Sequence, residues 1–248
     1  MSIIRLDRYL ADVHIGSRKF IREYIRDGRI RIGDRVVTRP DTRLNTETDT
    51  VSFDGKELTY SNHRYYMLNK PAGVVSATRD GLSSTVIDLL SGISVRGLSP
   101  VGRLDKDTEG LLLITDDGQL AHTLLSPKRE VQKCYEVHLA SPLSAEALEK
   151  LKNGVDIGDD TPTLPAEAEY VGEDQNGHEI IRLTIHEGRF HQVKRMISVC
   201  GSEVVYLKRL SMGALKLDPY LKPGTFRALS ADEIMCLKKD VIHQKSSD

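Results

Sequence analysis

Three cysteines stand in 248 residues: Cys134, Cys200 and Cys236. They are odd in number, widely spaced and never arranged as Cys-x-x-Cys, so neither a disulfide framework nor a zinc site is expected. Reduced thiols in a cytoplasmic protein fit this pattern. Long apolar runs are also missing. The longest, such as residues 111–114, fall far short of the ~20 residues that cross a bilayer. The first residues, Met1-Ser2-Ile3-Ile4-Arg5, lack the apolar stretch and small-residue cleavage site of a secretion signal. No membrane partner is expected. A nucleotide-binding glycine loop, a metal-ligand cluster and a cofactor lysine motif are all absent, so the expectation is a chain that works without metal or cofactor. There is no internal repeat and no low-complexity segment.

The net charge of −1 hides an asymmetry. Residues 1–43 carry eleven Arg or Lys against six Asp or Glu. A basic arm on a neutral body points to a polyanionic partner. The length suits one large domain and one small one. In the small one, Leu6, Tyr9, Leu10 and Val13 follow helical spacing. A second helix is expected between Ser17, a good N-cap, and Gly28, a good C-terminal stop. Its apolar face would be Phe20, Ile21, Tyr24 and Ile25. Arg18, Arg22 and Arg26 recur every four residues and share another face, with Lys19 beside them and Arg29, Arg31 and Arg35 just after. Such an array could line a phosphate backbone, although a charge run is more often a solvated helix face. Short strands follow at 29–32, 35–37 and 51–53, with turns at Gly33-Asp34 and Asp54-Gly55.

Residues 59–63 are polar and without periodicity, and read as a linker between a domain at 1–58 and another at 64–248. Strand patterns then occupy 65–69, 111–115, 134–139, 179–186 and 203–207. Helix patterns occupy 118–125, 144–153, 190–200 and 231–239. Several strands follow one another without a crossover helix, which predicts an α+β domain with a central mixed, largely antiparallel sheet flanked by helices.

Two local patterns mislead. His14-Ile15-Gly16-Ser17 resembles the start of a class I aminoacyl-tRNA synthetase signature, but no parallel strand precedes it and no partner lysine loop follows. Asp105-Lys106-Asp107-Thr108-Glu109-Gly110 resembles half a calcium loop, yet Leu113 holds its ninth place and Asp116, not a bidentate Glu, its twelfth. His186 and His191 lack a carboxylate at metal-ligand spacing between them. Read locally, the 103–110 segment is a dense polar loop before an apolar strand. That suits an active-site loop and suits a solvated turn better; Asp105, Asp107 and Glu109 are then equivalent.

Resemblance separates them. Leu6-Asp7-Arg8-Tyr9-Leu10, Ser17-Arg18-Lys19 and Gly28-Arg29-Ile30-Arg31-Ile32-Gly33-Asp34 resemble the S4 RNA-binding domain. Gly102-Arg103-Leu104-Asp105-Lys106-Asp107-Thr108-Glu109-Gly110-Leu111-Leu112-Leu113 resembles the central motif of pseudouridine synthases of the small-subunit-rRNA type. Met67-Leu68-Asn69-Lys70-Pro71-Ala72-Gly73, Lys133-Cys134-Tyr135-Glu136-Val137, the 187–196 stretch and the 223–229 stretch resemble the family's other motifs, in order. The resemblance implies an enzyme that breaks the N1–C1′ bond of a uridine, turns the base and rejoins it through C5. Asp105 would act at the ribose, as nucleophile or as base. Burial disfavours a charged carboxylate, so a cation must stand beside it, and Lys194 is the matching residue; Arg189 and Arg195 are weaker substitutes. Tyr135 would stack on the flipped uracil or take a proton at the end, unless it is only a core tyrosine. Leu229 would wall the pocket. Arg103 would hold a flanking phosphate or wedge into the stack, and Arg189, His191, Gln192 and Arg195 would touch RNA, as would Arg18, Lys19, Arg22, Arg26, Arg29 and Arg31.

The implied partner is ribosomal RNA, free or in an assembly particle, with a monomeric enzyme and uridine 516 of 16S rRNA as target. A 23S rRNA enzyme of the same group is the first alternative. A non-catalytic S4-type RNA-binding or assembly factor is another, and a glycosidase that releases the base is a third.

Overall fold

The structure is a computed structural model that describes residues 3–13, 15–58, 60 and 63–243, with side chains through residue 239. His14 of the 14–17 tetrapeptide lies outside the described residues, as do Thr59, Ser61 and Asn62 of the 59–63 linker. The chain divides into two compact units, Met1–His63 and Arg64–Asp248.

The first unit runs β1 (Ile3–Arg5), α1 (Leu6–Asp12), α2 (Arg18–Arg26), β2 (Ile30–Ile32), β3 (Arg35–Val36), β4 (Arg43–Asn45), β5 (Val51–Phe53) and β6 (Lys56–Leu58). The Ser17 hydroxyl accepts the Phe20 N–H at 3.5 Å and starts α2, while Gly28 at φ +71° stops it, a left-handed position where glycine is favoured. Leu6, Tyr9, Leu10, Ile21, Ile25, Ile30, Leu44 and Val51 form a small core. Phe20, expected on the buried face of α2, is exposed and stacks loosely on Tyr24 instead. The strands β2, β3, β5 and β6 make one antiparallel sheet in the order β3-β2-β5-β6. The pair β1 and β4, three residues each, forms a second sheet; strands this short carry too little pattern to be read from sequence.

The second unit runs β7 (Tyr65–Lys70), β8 (Ser99–Pro100), β9 (Glu109–Thr115), α3 (Gly118–Leu125), β10 (Lys133–Leu139), α4 (Ala145–Asn153), β11 (Glu167–Glu173), β12 (Glu179–Ile185), α5 (Gln192–Val199), β13 (Val204–Met212), β14 (Leu215–Lys216), β15 (Phe226–Ala228) and α6 (Ala231–His243). Its main sheet has the order β11-β12-β10-β13-β9-β7-β15. Every pairing along it is antiparallel except β13 with β9, so the sheet is mixed and largely antiparallel, as the strand sequence implied.

Side chains alternate across this sheet. On β7 and β9, Tyr65, Met67, Leu111 and Leu113 enter one core with Leu120, Leu124, Leu229 and Leu237. Tyr66, Leu68, Leu112 and Ile114 enter the other with Tyr135, Val137, Met196 and Leu207. Both faces are covered, so residues 65–68 of β7 and 111–114 of β9 read as unbroken apolar runs, and each such side chain contributes roughly 1.5–3 kcal/mol on burial. The edge strand β11 is mostly exposed and gave no clear pattern. Among the described residues, no helix is long and apolar enough to cross a membrane.

Candidate active site

The Asp105 loop precedes β9 and is held from below by the end of β7. Lys70 is fully buried, and its ammonium donates to the carbonyls of Pro71 at 3.0 Å, Lys106 at 3.2 Å and Thr108 at 2.8 Å. The Ser76 hydroxyl donates to Leu104 O at 2.8 Å and accepts from Leu104 N at 3.0 Å. Burial lowers the Lys70 ammonium to about 8, against the attraction of Asp107, Glu109 and Asp105. Thus the backbone on both sides of Asp105 is pinned while its carboxylate stays half-exposed.

A second segment meets this loop. Between β12 and α5, Glu187 accepts from Leu164 N at 2.8 Å, Arg189 Nε at 2.8 Å and Gln192 Nε2 at 3.1 Å. Gln192, in turn, accepts from Arg189 N at 2.9 Å. His191 then takes a left-handed conformation at φ +49° as the N-cap of α5, a strained choice for a residue with a Cβ and one concentrated at functional sites. Its Nε2 lies 3.5 Å from Asp105 Oδ1, and Lys194 Nζ lies 3.5 Å from Asp105 Oδ2. Lys194 also bonds both oxygens of Asp107, at 2.6 and 2.7 Å. This holds the Asp107 carboxyl below the usual carboxylate range. A cation in the first turn of a helix is opposed by the helix dipole; here two carboxylates hold it there.

Asp105 and Lys194, 89 positions apart in the sequence, therefore share one pocket. Tyr135 of β10 stands in its wall with its ring buried, and its hydroxyl has no partner among the described residues. Arg103 also lines the pocket and is exposed. Ile185, Leu207 and Leu104 supply apolar wall.

Other expected contacts go elsewhere. Leu229 does not line this pocket: it packs in the core on the opposite sheet face, beside Tyr65 and Leu237, with its N–H bonded to Tyr65 O. Gln192 is buried and bonded within its own motif, so it shapes the 187–192 turn and offers little to RNA. Arg189 donates to Thr161 O at 2.6 Å and Pro162 O at 2.8 Å. Arg195 bonds Asp159 at 2.6 Å and the Ile157 carbonyl. Both guanidinium groups thus tie the 157–162 loop to the site.

In the first unit, Arg18, Lys19, Arg22 and Arg26 are exposed along α2. Arg29 and Arg31 are exposed too but engaged. Arg29 pairs with Asp54 and lies 4.6 Å over the rings of Tyr24 and Phe53. Arg31 donates to Asp34 O at 2.5 Å.

Sequence reasoning missed Lys70, Ser76 and Asp107 as supports of the loop, and Lys133, Thr108 and Arg209 in the pocket wall. Lys70, Asp107, Thr108 and Lys133 lie within the motifs that carry the resemblance. Arg209 carried no signal, being one basic residue in an alternating strand.

The RNA pseudouridylate synthase family profile matches residues 64–199 and the S4 domain profile residues 4–51. An uncharacterised RNA pseudouridine synthase of Bacillus subtilis, YtzG, is 46% identical over 237 residues, 95% of this chain and 99% of that protein. The ribosomal small subunit pseudouridine synthase A of Vibrio cholerae is 39% identical over 95% of this chain and 100% of its own length. The protein of that name from Escherichia coli K12 is 39% identical over 93% and 98%. A crystal structure of a pseudouridylate synthase superposes with a TM-score of 0.64 at 35% identity, covering 94% of this chain and 99% of that one. With an S4 domain ahead of a mixed-sheet domain of this architecture, the chain belongs to the RNA pseudouridylate synthase family and is an isomerase of that type.

Proposed function

We propose that this enzyme isomerises one uridine of small-subunit ribosomal RNA, uridine 516 of 16S rRNA, with Asp105 acting at the ribose. The observation that carries the catalytic assignment is the double approach of Lys194 and His191 to the Asp105 carboxylate at 3.5 Å each. Two basic side chains thus face one carboxylate in a half-closed pocket. Asp105 lines the pocket while Asp107 and Glu109 do not, which supports Asp105 among the three acids of the loop.

The residues divide the work as follows. Arg103 and the exposed arginines of α2 hold phosphates and fix register without reading sequence. In the alternative role, Arg103 fills the gap left as the target nucleotide swings out of the stack. Tyr135 stacks on the uracil, or its hydroxyl relays the C5 proton after the base has turned, passing its own proton on as it takes that one. Asp105 either bonds C1′ as N1 leaves or removes the C2′ proton. The small-subunit target rests on relatives of that name that match nearly the full chain. Such an enzyme works as a monomer in the cytoplasm, on rRNA in an assembling particle or before assembly.

Pseudouridine mapping across 16S and 23S rRNA from cells lacking the protein is the test, with wild-type and Asp105→Asn chains restored in parallel. One 16S position should lose its pseudouridine and regain it only with wild type. A lost position in 23S rRNA moves the target to the large subunit. Equal restoration by Asp105→Asn removes the catalytic assignment. Free uracil in the reaction identifies a glycosidase.

A further inference from the structure

Three buried side-chain polar atoms lack a hydrogen-bond partner among the described residues, and two of them belong to residues that line the Asp105 pocket: Thr108 Oγ1 and Arg209 Nη2. Buried polar groups are nearly always paired, so each exception asks for a reason. Arg209 is 2% exposed. Its Nε donates to Leu111 O at 2.8 Å, which fixes the guanidinium, and among the described residues no carboxylate pairs with it. Lys133, 8% exposed, lines the same wall and donates only to Val131 O at 2.8 Å. Burial and the nearby Arg209 charge lower its ammonium to about 8. The carboxylate that acts on Lys133, Glu187, is already bonded by Leu164 N, Arg189 and Gln192, so the two buried cations are poorly compensated, and a ligand that brings negative charge improves their balance.

The register says which part of the ligand. Tyr135 of β10 stands directly opposite Arg209 of β13, so the two side chains are neighbours on one sheet face. Arg209 therefore stands beside Tyr135, the residue assigned above to the base. The base has two carbonyl acceptors, O2 and O4. When N1–C1′ breaks, the bonding electron pair stays on the ring, and the negative charge spreads over N1, O2 and O4. C1′ is compensated by bonding to Asp105 or by loss of the C2′ proton to it. After the ring turns, C5 bonds C1′ as the Asp105–C1′ bond breaks or as Asp105 returns the proton to C2′; the C5 proton then leaves and N1 gains one, so the product is an isomer of the substrate.

We infer that Arg209, with Lys133 and Thr108, grips the carbonyl oxygens of the flipped uracil and stabilises the anion formed when the glycosidic bond opens. This rests on Asp105 being the ribose-side group of a uridine isomerase. Donors fixed before the reaction and directed at charge that develops during it act as an oxyanion hole does.

The test uses the full chain and an rRNA fragment containing the uridine mapped above. Arg209→Met should slow single-turnover pseudouridine formation by about 10²-fold or more. Its affinity for the fragment should stay within about twofold, and its Tm should be unchanged or higher because an unpaired buried charge has gone. Binding to the same fragment with an abasic target ribose should not distinguish Arg209→Met from wild type. Thr108→Val, which removes one unpartnered hydroxyl at constant shape, should slow the reaction by about tenfold without loss of Tm and serves if Arg209→Met does not fold. Wild-type rates in Arg209→Met, or in Thr108→Val where Arg209→Met does not fold, overturn the inference. Weakened binding of the abasic fragment assigns Arg209 to a phosphate and also overturns it. A wild-type protein that forms no pseudouridine overturns the parent reading instead.

Discussion

Lys194 grips Asp107 more closely than it does Asp105, at 2.6 and 2.7 Å against 3.5 Å. The Asp107 side chain is 71% exposed while that of Asp105 is 27% exposed, so the pocket-facing contact is the longer one. Asp107 thus acts as an outer tether that keeps the Lys194 chain extended toward the loop. Lys194→Met should reduce single-turnover pseudouridine formation by about 10²-fold, as expected for loss of a cation beside a reacting carboxylate. Asp107→Asn should reduce it by less than about tenfold, because an exposed ion pair contributes little and Lys194 can still reach Asp105. Equal losses in the two variants would mean that Lys194 works through Asp107.

Gly110 joins the Asp105 loop to the sheet where β9 meets β13. It has φ +99°, and a Cβ there would stand 2.3 Å from Arg209 O and 2.8 Å from Arg209 N. The two strands pair only at this point, Lys208 with Glu109 and Arg209 with Gly110. Gly110→Ala must push β9 from β13 and adopt a disfavoured backbone, destabilising the second unit by about 2–4 kcal/mol. It should also slow pseudouridine formation, since the same shift separates Asp105 from Arg209. Gly73→Ala, at φ +85° with open space around it, should show the backbone penalty alone, roughly 1–2 kcal/mol. Urea titration of both variants measures the difference; equal losses would refute the close-packing account.

What could be read beforehand follows physical lines. The helix α3 was legible to the residue because Asp117 caps it, accepting from Leu120 N at 2.9 Å, and its apolar positions repeat at helical spacing. Strands β7 and β9 were legible because burial on both faces leaves unbroken apolar runs at residues 65–68 and 111–114. The pairing of Asp105 with Lys194 followed from resemblance between ordered motifs, since no local pattern separates Asp105 from Asp107. Leu229 was misplaced because apolar character does not tell which sheet face a residue serves, and one register step decides it. Arg189 and Arg195 illustrate the same limit for charge: a basic residue in a catalytic motif can bind RNA or brace a loop, and here Asp159 and backbone carbonyls engage both. Arg209 was illegible because its meaning lies in a missing partner, which only the packed structure exposes.

The two buried lysines give the second unit an unusual alkaline profile. Lys70 and Lys133 titrate at about 8 in the fold, against the ordinary 10.5. Below pH 8 both states hold the proton and the unfavourable burial of charge is felt in full. Between pH 8 and about 10, the folded chain sheds protons that the unfolded chain keeps, so stability rises with pH. Tyrosines act in the opposite sense. Tyr9 and Tyr60 are pushed up to about 12 in the first unit, mainly by burial, and burial raises Tyr65 and Tyr206 in the second. Above about pH 10 the unfolded chain loses tyrosine protons that the folded chain retains, and stability falls. Urea midpoints near pH 7.5 and 9.5 should therefore increase for the second unit, with a smaller increase in Lys133→Met. A flat profile across that window would show that neither ammonium is desolvated in solution.

The exposed arginines of α2 and the engaged pair Arg29 and Arg31 should separate in RNA binding. Arg18, Arg22 and Arg26 extend from one helix face, and Arg26 has only the exposed, 3.6 Å contact with Asp27. If each neutralises a phosphate, the triple alanine variant loses released counterions, and its plot of log affinity against log salt becomes shallower by about 0.7–0.9 per lost contact. At saturating RNA its single-turnover rate should equal that of wild type, because none of the three belongs to the Asp105 pocket. Arg29→Ala acts differently. It removes the pair with Asp54 and the contact with the Tyr24 and Phe53 rings, so the first unit should lose a little stability with little change in salt slope. A triple variant that keeps the wild-type slope but reacts slowly at saturation would remove α2 from the RNA interface. It would assign phosphate contacts to the second unit alone.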